Sequence, residues 1–510
     1  MTLRTRWLAF GVATLAALAG SGLRAEEALE GPQEGAKAGS SDDAAFDRFV
    51  EETRRRYGVP GAVVVVANAR GAVTVKGYGL KEQGKPGRVD PDTRFQIASV
   101  SKFVTATAVG TLVERGVVSW DGPVQALSPE TVLALPYATE TATLRDYFAH
   151  RTGLPAYAGD LLPDLGLPSE DLVRRARFLA FDHSFRSQMA YSNYGIFLGQ
   201  HAAATAAGTT PPDLIAKAIL EPLAMTRSGP TQSWLFQDDN RASSHDRDGT
   251  VMAYENVDSF SGAGAVVSTG ADFARWMGMV LASGQAGDRR LLAKDTLRQI
   301  FAPSMVEGPG GPLRDENAAA GLGCDSYGFL GQRIVEKNGA LNGVRTIVTL
   351  IPELEIGIAI FANKQLTVFP EAVRAEFLER RIGRSGIDLQ ARIRAEQDAW
   401  NSIVDVPTPP ADTRPAPHPL AAYAGIYDSP LYGRLRITNG EDGLAATIAD
   451  RPALLSHWSA DTFLLRFPNP DIAPGLLTFQ LDSGRAVRIE GSRVPGGMSV
   501  SYGTFDRAPE

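Results

Sequence analysis

The sequence predicts an α/β chain. An antiparallel sheet flanked by helices, with a helical subdomain, is expected first, and a C-terminal antiparallel β domain, read as a β-barrel or sandwich, follows it. Three observations predict this. Apolar, valine- and isoleucine-rich hairpins lie at two distant places, 62–78 and 343–362. The residues between them, roughly 100–300, have helical spacing. After a proline-rich stretch at 405–419 the pattern turns into short alternating runs broken by turn residues.

The elements follow in order. Ala44 to Tyr57 has helical spacing and ends near Gly58-Val59-Pro60. Ala62 to Ala67 is a continuous apolar run, Asn68-Ala69-Arg70-Gly71 is a turn signal, and Ala72 to Tyr78 is the return strand. Helices are expected over Phe103–Arg115, Leu172–Phe181, Gly195–Ala207, Pro212–Leu220 and Gly270–Ala282. The second hairpin runs from Gly343 to Ile351, turns at Pro352-Glu353 and returns over Ile356 to Ala362. A sheet built from both ends of the domain is expected, closed by a helix near 369–381. In the tail, strands are expected at Gly433–Thr438, Leu444–Ile448, Thr462–Phe467, Leu476–Leu481 and Ala486–Glu490, with turns at Asn439-Gly440 and Ser483-Gly484. No internal repeat is visible.

The N-terminus reads as an address. Arg4 and Arg6 precede an apolar run from Trp7 to Gly20, shorter than the ~20 residues a bilayer span needs. Leu23 and Ala25 suit a cleavage site before Glu26. The expected organisation is a signal peptide over 1–25, a flexible lead-in over 26–42 and a main domain over 43–400. A proline-rich linker over 401–419 and a β domain over 420–510 follow. The expected location is periplasmic or secreted, with no stable membrane anchor.

Composition removes several function classes. The 510 residues carry 51 basic and 58 acidic side chains, net −7, so no basic stripe for nucleic acid is present. One cysteine, Cys324, excludes an intramolecular disulfide and a cysteine-cluster metal site. The six histidines form no His-Glu-x-x-His pattern, so a zinc hydrolase of that type is excluded. No metal and no cofactor are expected.

The chemistry is carried by three short elements. There is no Gly-x-Ser-x-Gly elbow. Ser99-Val100-Ser101-Lys102 instead stands before a long apolar helix. A serine there feels the positive end of the helix dipole, and a lysine three residues on shares its face. Burial makes a lysine easier to deprotonate, so Lys102 can take the proton of Ser99. Tyr191-Ser192-Asn193 precedes the next helix. A tyrosine whose pKa is lowered by nearby cations can act as a general base, and an asparagine can hold a substrate amide. Lys337-Asn338-Gly339-Ala340 follows Ile334-Val335 and reads as a strand. Lysine there can attract a carboxylate, glycine permits close approach, and the next amide can donate into an oxyanion hole.

In this order and context the three elements resemble the serine β-lactamase and penicillin-binding-protein superfamily. Class C β-lactamases and the related D-aminopeptidases, D,D-carboxypeptidases and esterases are the nearest in kind. The flanks Phe95-Gln96-Ile97-Ala98, Leu144-Arg145-Asp146-Tyr147, His150-Arg151-Thr152-Gly153-Leu154-Pro155 and Phe361-Ala362-Asn363 add to it. The likeness spans roughly 45–385 and implies a β-lactamase/transpeptidase-like fold. It implies Ser99 as the acylated nucleophile, Lys102 as its proton acceptor and Tyr191 as the shared base that later activates water. It assigns substrate binding to Asn193, Lys337 and Asn338, and the oxyanion hole to the backbone N–H groups of Ser99 and Ala340. Asn338 departs from the threonine usual in class C enzymes, and no Glu-x-x-x-Asn loop of class A is present. Tyr423-Ala424-Gly425-Ile426-Tyr427 with Tyr432-Gly433 resembles small β domains that trail such hydrolases.

The expected activity is an exported serine hydrolase acting on an amide in a small or D-residue-containing peptide. Carboxylesterase and β-lactamase are the alternatives within the superfamily, and a non-catalytic penicillin-binding or sensor protein is the rival class. The expected partner is a small-molecule or peptide substrate. His150 is expected as a hydrogen-bonded helix-end residue, His245 as structural or near substrate, Cys324 as a packed small side chain, and Gly308–Gly311 as a loop.

Overall fold

The computed structural model describes residues 40–308, 313–314, 317–402, 408–468, 472–495 and 501–509. The expected signal peptide and nearly all of the lead-in lie outside the described residues, as do 403–407 of the linker and 309–311 of the glycine loop.

The main sheet is eight-stranded and antiparallel among the described residues. Its strands are β1 (Gly61–Asn68), β2 (Gly71–Gly79), β3 (Met305–Val306), β4 (Ala319–Ala320), β5 (Asp325–Phe329), β6 (Gln332–Leu341), β7 (Val344–Ile351) and β8 (Ile356–Ala362). Their spatial order is β2-β1-β8-β7-β6-β5-β4-β3. The two hairpins read from the sequence meet where β1 pairs with β8, Ala62 opposite Ala362 and Asn68 opposite Ile356. β1, β7 and β8 are buried along nearly their whole length, which is why they read as continuous apolar runs. One face of the sheet, through Val64, Ile347 and Ile360, packs against the helices α1 (Ser40–Arg56), α5 (Phe369–Arg381) and α6 (Leu389–Asn401). The other face, through Val63, Val65, Val348 and Phe361, packs against the helical subdomain.

That subdomain contains α2 (Ser101–Glu114), α3 (Asn193–Ala206) and α4 (Gly270–Leu281). α2 is buried on almost every side, so it has no polar face. Phe103 packs edge-on against Trp276 of α4 and against Phe301. Two sequence expectations need correction. The helix placed over Leu172–Phe181 is Ser169–Arg175 followed by a 3-10 turn, Ala176–Phe178. The helix placed over Pro212–Leu220 is Pro211–Ile215 and then a π turn.

The tail is a closed antiparallel barrel. Its strands are β9 (Gly425–Ser429), β10 (Gly433–Gly440), β11 (Gly443–Ile448), β12 (Arg451–Ser459), β13 (Thr462–Arg466), β14 (Gly475–Asp482), β15 (Arg485–Ser492) and β16 (Thr504–Arg507). Closure comes from β9 on β16, with Tyr427 opposite Arg507. Alternation is visible in β10, where Leu435 and Ile437 are buried while Arg434 and Arg436 are exposed. The turn placed at Asn439-Gly440 moves two residues on, to Glu441-Asp442, because Gly440 pairs with Gly443. Ser483-Gly484 is the turn expected, and both residues have positive φ. The barrel docks on the subdomain. Arg175 donates from Nη1 to the carbonyl oxygens of Leu431 at 2.5 Å and Pro430 at 3.0 Å, and apolar side chains of both parts form one continuous buried cluster.

Candidate active site

Ser99 lies in a 3-10 turn, Ala98–Val100, directly before α2. Ala98 is held in the left-handed region, φ 49°, a conformation that costs a non-glycine residue roughly 1–3 kcal/mol. The turn is fixed from the sheet. Thr346 of β7 donates to the carbonyl oxygen of Ile97 at 2.8 Å, and Thr346 sits opposite Gly339 of β6. A Cβ at position 339 would stand 2.8 Å from the Ser99 nitrogen and 2.5 Å from Thr346 Oγ1. Glycine is therefore required there for the strand to reach the nucleophile's backbone.

Lys102 is fully buried. Its Nζ lies 2.9 Å from Ser99 Oγ and donates to the Ala263 carbonyl oxygen at 2.5 Å. Burial, reinforced by the charge of Lys337, pushes the amine well below the ordinary lysine pKa. Tyr191 corrects the sequence reading. Cations do flank its ring, with Lys102 Nζ 5.0 Å and Lys337 Nζ 4.9 Å from the centroid. Yet burial pushes its phenol up, and Asp325 and Asp160 add to that. A hydrogen bond with Ser99 acts in the lowering direction but does not prevail. The group poised to accept a proton is the Lys102 amine, and Tyr191 stands beside it as a neutral phenol.

Tyr191 is positioned by the His150 segment. His150 has φ 55°, is buried, and packs its ring 4.6 Å from that of Tyr191 at a tilt of 40°. Its Nδ1 accepts from the Ser192 amide at 3.2 Å, and its carbonyl accepts from Ala190 N at 2.8 Å. Burial pushes the imidazole well below its ordinary pKa, so it is neutral. The segment is tied down by buried Asp146, which receives Arg151 at 2.7 Å and Arg186 at 2.9 Å and 2.7 Å. Ser192 caps α3 by accepting from Gly195 N at 2.8 Å, leaving Asn193 as the first helical residue. Asn193 donates from Nδ2 to Asp160 Oδ2 at 2.6 Å.

Lys337 stands on β6 just past the end of β5. The β5–β6 ladder stops at Asp325 opposite Glu336, so Lys337–Leu341 has no strand on that edge among the described residues. The Ser99 turn lies against this stretch at Gly339. Lys337 Nζ lies 3.5 Å from Asp325 Oδ2, which also receives Arg314 at 2.5 Å. Burial alone would raise the Asp325 carboxyl, but Lys337 and Arg314 hold it well below the usual range. Burial and Asp325 push nearby Glu307 up to about 7. Asn338 is not brought to this face, because strand alternation sets it opposite Ile347, which packs on the other side of the sheet. Ala340 sits one residue past Gly339 on the open edge.

Among the residues expected to be bland, His245 bridges Asn363 O at 2.8 Å and Gln83 N at 3.0 Å. Cys324 is buried and lies 3.5 Å from the Ile300 carbonyl oxygen. Among the described residues no group of side chains suits a metal ion.

The profile of the family described as Beta-lactamase matches residues 46–380, about two thirds of the chain. The chain belongs to the Beta-lactamase family. A second profile, Domain of unknown function (DUF3471), matches 408–495 of this Beta-lactamase family member. The unguisins hydrolase of Aspergillus violaceofuscus is 26% identical over 434 residues, covering 78% of this chain and 76% of the relative. The D-alanyl-D-alanine-carboxypeptidase/endopeptidase AmpH of Escherichia coli K12 is 25% identical and covers 62% of this chain and 83% of its own length. The octameric penicillin-binding protein homologue from Pyrococcus abyssi shares the fold, with a TM-score of 0.58 at 19% identity over 91% of this chain and 100% of that one. The barrel is present beside a β-lactamase/penicillin-binding-protein-like domain, as expected from sequence.

Sequence reasoning missed Asp160 and Asp325, and it left His150 without a link to Tyr191. Asp325 did carry a signal: it is an acidic residue in phase with the aromatic residues Tyr327 and Phe329 on one strand.

Proposed function

We propose that this Beta-lactamase family hydrolase is exported and cleaves an amide in a small or D-residue-containing peptide through an acyl-Ser99 intermediate. The observation that carries it is a buried lysine amine 2.9 Å from the Ser99 hydroxyl, with its pKa pushed down. The Ser99 oxygen attacks the scissile carbonyl as its proton passes to Lys102. The backbone N–H groups of Ser99 and Ala340 receive the oxyanion. The proton then passes to the leaving amine, directly or through the Tyr191 hydroxyl, and the acyl-serine remains. In deacylation water gives a proton to the Lys102 amine and attacks the acyl carbon, the bond from that carbon to Ser99 Oγ breaks, the acid leaves and the proton returns from Lys102 to Ser99 Oγ. The open edge Lys337–Leu341 suits an extended peptide backbone. A relative named as a D-alanyl-D-alanine-carboxypeptidase/endopeptidase supports a peptide amide over a simple ester.

The test is intact-protein mass spectrometry after incubation with benzylpenicillin and with D-alanyl peptides, the supernatants being assayed for products. A Ser99-dependent adduct with peptide cleavage supports the reading. Rapid penicillin turnover without peptide cleavage would make the protein a β-lactamase, cleavage of esters alone a carboxylesterase, and an adduct that never turns over a sensor. Export is read from the N-terminus of the protein made in a cell with its full leader, which begins at Glu26 if the leader is removed.

A further inference from the structure

Glu307 lies close enough to Tyr191 for its charge to act on the phenol, and the mechanism above does not use it. It follows β3, and its amide donates to the Ala318 carbonyl oxygen at 2.8 Å. Its side chain is only 9% exposed. Oε2 accepts from Arg314 at 2.7 Å. Oε1 is closed to solvent and has no donor. The side chain within hydrogen-bonding reach is Asp325, a second carboxyl. Two carboxylates offer only acceptors, so a hydrogen bond between them needs a proton on one. Against burial, Lys337 and Arg314 hold Asp325 ionised. The proton therefore belongs on Glu307. Burial, then the charge of Asp325 and the hydrogen bond with it, raise the Glu307 carboxyl against Arg314 and Lys337, to about 7.

Its other neighbours are charged or kept neutral by burial. Arg314 also approaches Glu336 at 3.9 Å, and Glu336 receives Arg374. Arg151 reaches the same segment at the Ser304 carbonyl oxygen, but it is paired with Asp146. Burial keeps the Cys324 thiol, the Tyr327 phenol and the His150 imidazole uncharged. Glu307, Asp325 and Glu336 thus face Arg314, Lys337 and Arg374. Fully ionised, the three carboxyls would cancel the three cations. With a proton on Glu307, one positive charge is left over, and Lys337 Nζ is 4.9 Å from the centre of the Tyr191 ring. A phenol that gives its proton to a leaving amine gains negative charge as it does so. Excess positive charge favours that step, and a negative charge on Glu307 opposes it. We propose that Glu307 is a positioning residue that, by keeping a proton beside Asp325, leaves the Lys337 charge free to assist proton donation from Tyr191 to the leaving group. The Tyr191 proton goes to the amine nitrogen as the bond from that nitrogen to the acyl carbon breaks. The proton that Ser99 gave to Lys102 then restores the phenol. The proposal rests on acylation of Ser99 and deepens it by giving the same site an upper pH limit.

The test compares N-acetyl-D-alanine p-nitroanilide with the p-nitrophenyl ester of the same acyl group. The anilide nitrogen must take a proton as its bond breaks, whereas p-nitrophenolate leaves without one. Hydrolysis without the nucleophile, read on Ser99→Ala, is subtracted. In Glu307→Gln the new amide can accept from Arg314 and donate to Asp325, as the protonated acid does. For the anilide, kcat/KM of Glu307→Gln relative to wild type is expected to rise about 10-fold from about pH 5.5 to about pH 8.5, the effect of one pKa unit at the donating group. Taking the ratio removes the limb that both proteins owe to Lys102. For the ester the ratio stays flat. Adding Tyr191→Phe to both proteins abolishes the rise on the anilide. The proton itself is read without substrate, from the carboxyl signal of 13C-labelled glutamate that Glu307→Gln lacks, which titrates near pH 7.

A flat ratio on the anilide, the mark of a merely structural role, would overturn the proposal. So would an equal rise on anilide and ester, a rise that persists with Tyr191→Phe, or a Glu307 carboxyl that titrates near the ordinary value of about 4.3. Failure of the acyl-serine reading has a different sign: Ser99→Ala retains hydrolysis of both substrates, whatever the ratio at Glu307.

Discussion

Lys102 and Lys337 flank the same tyrosine ring, at 5.0 and 4.9 Å, and both are buried. Their surroundings differ. Lys337 has a carboxylate, Asp325, which belongs to a wider buried set with Arg314, Glu307, Glu336 and Arg374. Lys102 has a carbonyl oxygen and the Ser99 hydroxyl. A buried cation with a counter-ion is a fixed charge, whereas one with only neutral acceptors gains by losing its proton. The fold thus uses one residue type twice, as a base at Lys102 and as a source of field at Lys337.

The largest effect expected from breaking this contrast is at the base. Ser99→Ala and Lys102→Met should each lower kcat by at least about 10⁴-fold, as removal of a nucleophile or its base does elsewhere. Near-native circular dichroism would show that folding is intact. Next is the charge set. Asp325→Asn leaves Arg314 and Lys337 short of a buried partner and should cost about 3–5 kcal/mol, read as a lower urea midpoint. A neutral result there would mean that water screens the cluster. A smaller effect sharpens the assignment of roles. Since burial lowers the Lys102 pKa and raises that of Tyr191, acylation should fall as pH drops through the Lys102 pKa. Tyr191→Phe should slow the reaction yet keep that limb, as stopped-flow acylation across pH would reveal. The smallest effect concerns the barrel. Arg175→Ala removes two hydrogen bonds to the 430–431 carbonyls and should cost about 1–2 kcal/mol, seen as faster hydrogen exchange at the barrel's docking face.

What was legible in the sequence was local. Valine runs gave the hairpins, and the three-residue spacing from Ser99 to Lys102 put both on one turn. Ser483-Gly484 announced its own backbone geometry. What was not legible depends on distance in the chain. Thr346 holds the Ser99 turn from the sheet, Ala263 receives Lys102, and Asp160 meets Asn193 across 33 residues. The Tyr191 pKa went the other way for the same reason. Neighbouring cations can be imagined from motifs, but the completeness of burial, which decides the sign, comes from packing. Asn338 shows a finer limit: the motif places it beside Lys337, and strand alternation then turns it to the other face.

The most direct measurement is the Lys102 titration itself, followed by NMR of 13C-labelled lysine side chains, with Lys102→Arg used to assign the signal. The Lys102 amine is expected to titrate well below the ordinary lysine value of about 10.4. A Lys102 that stays protonated up to or beyond that value would contradict it and return the role of base to Tyr191.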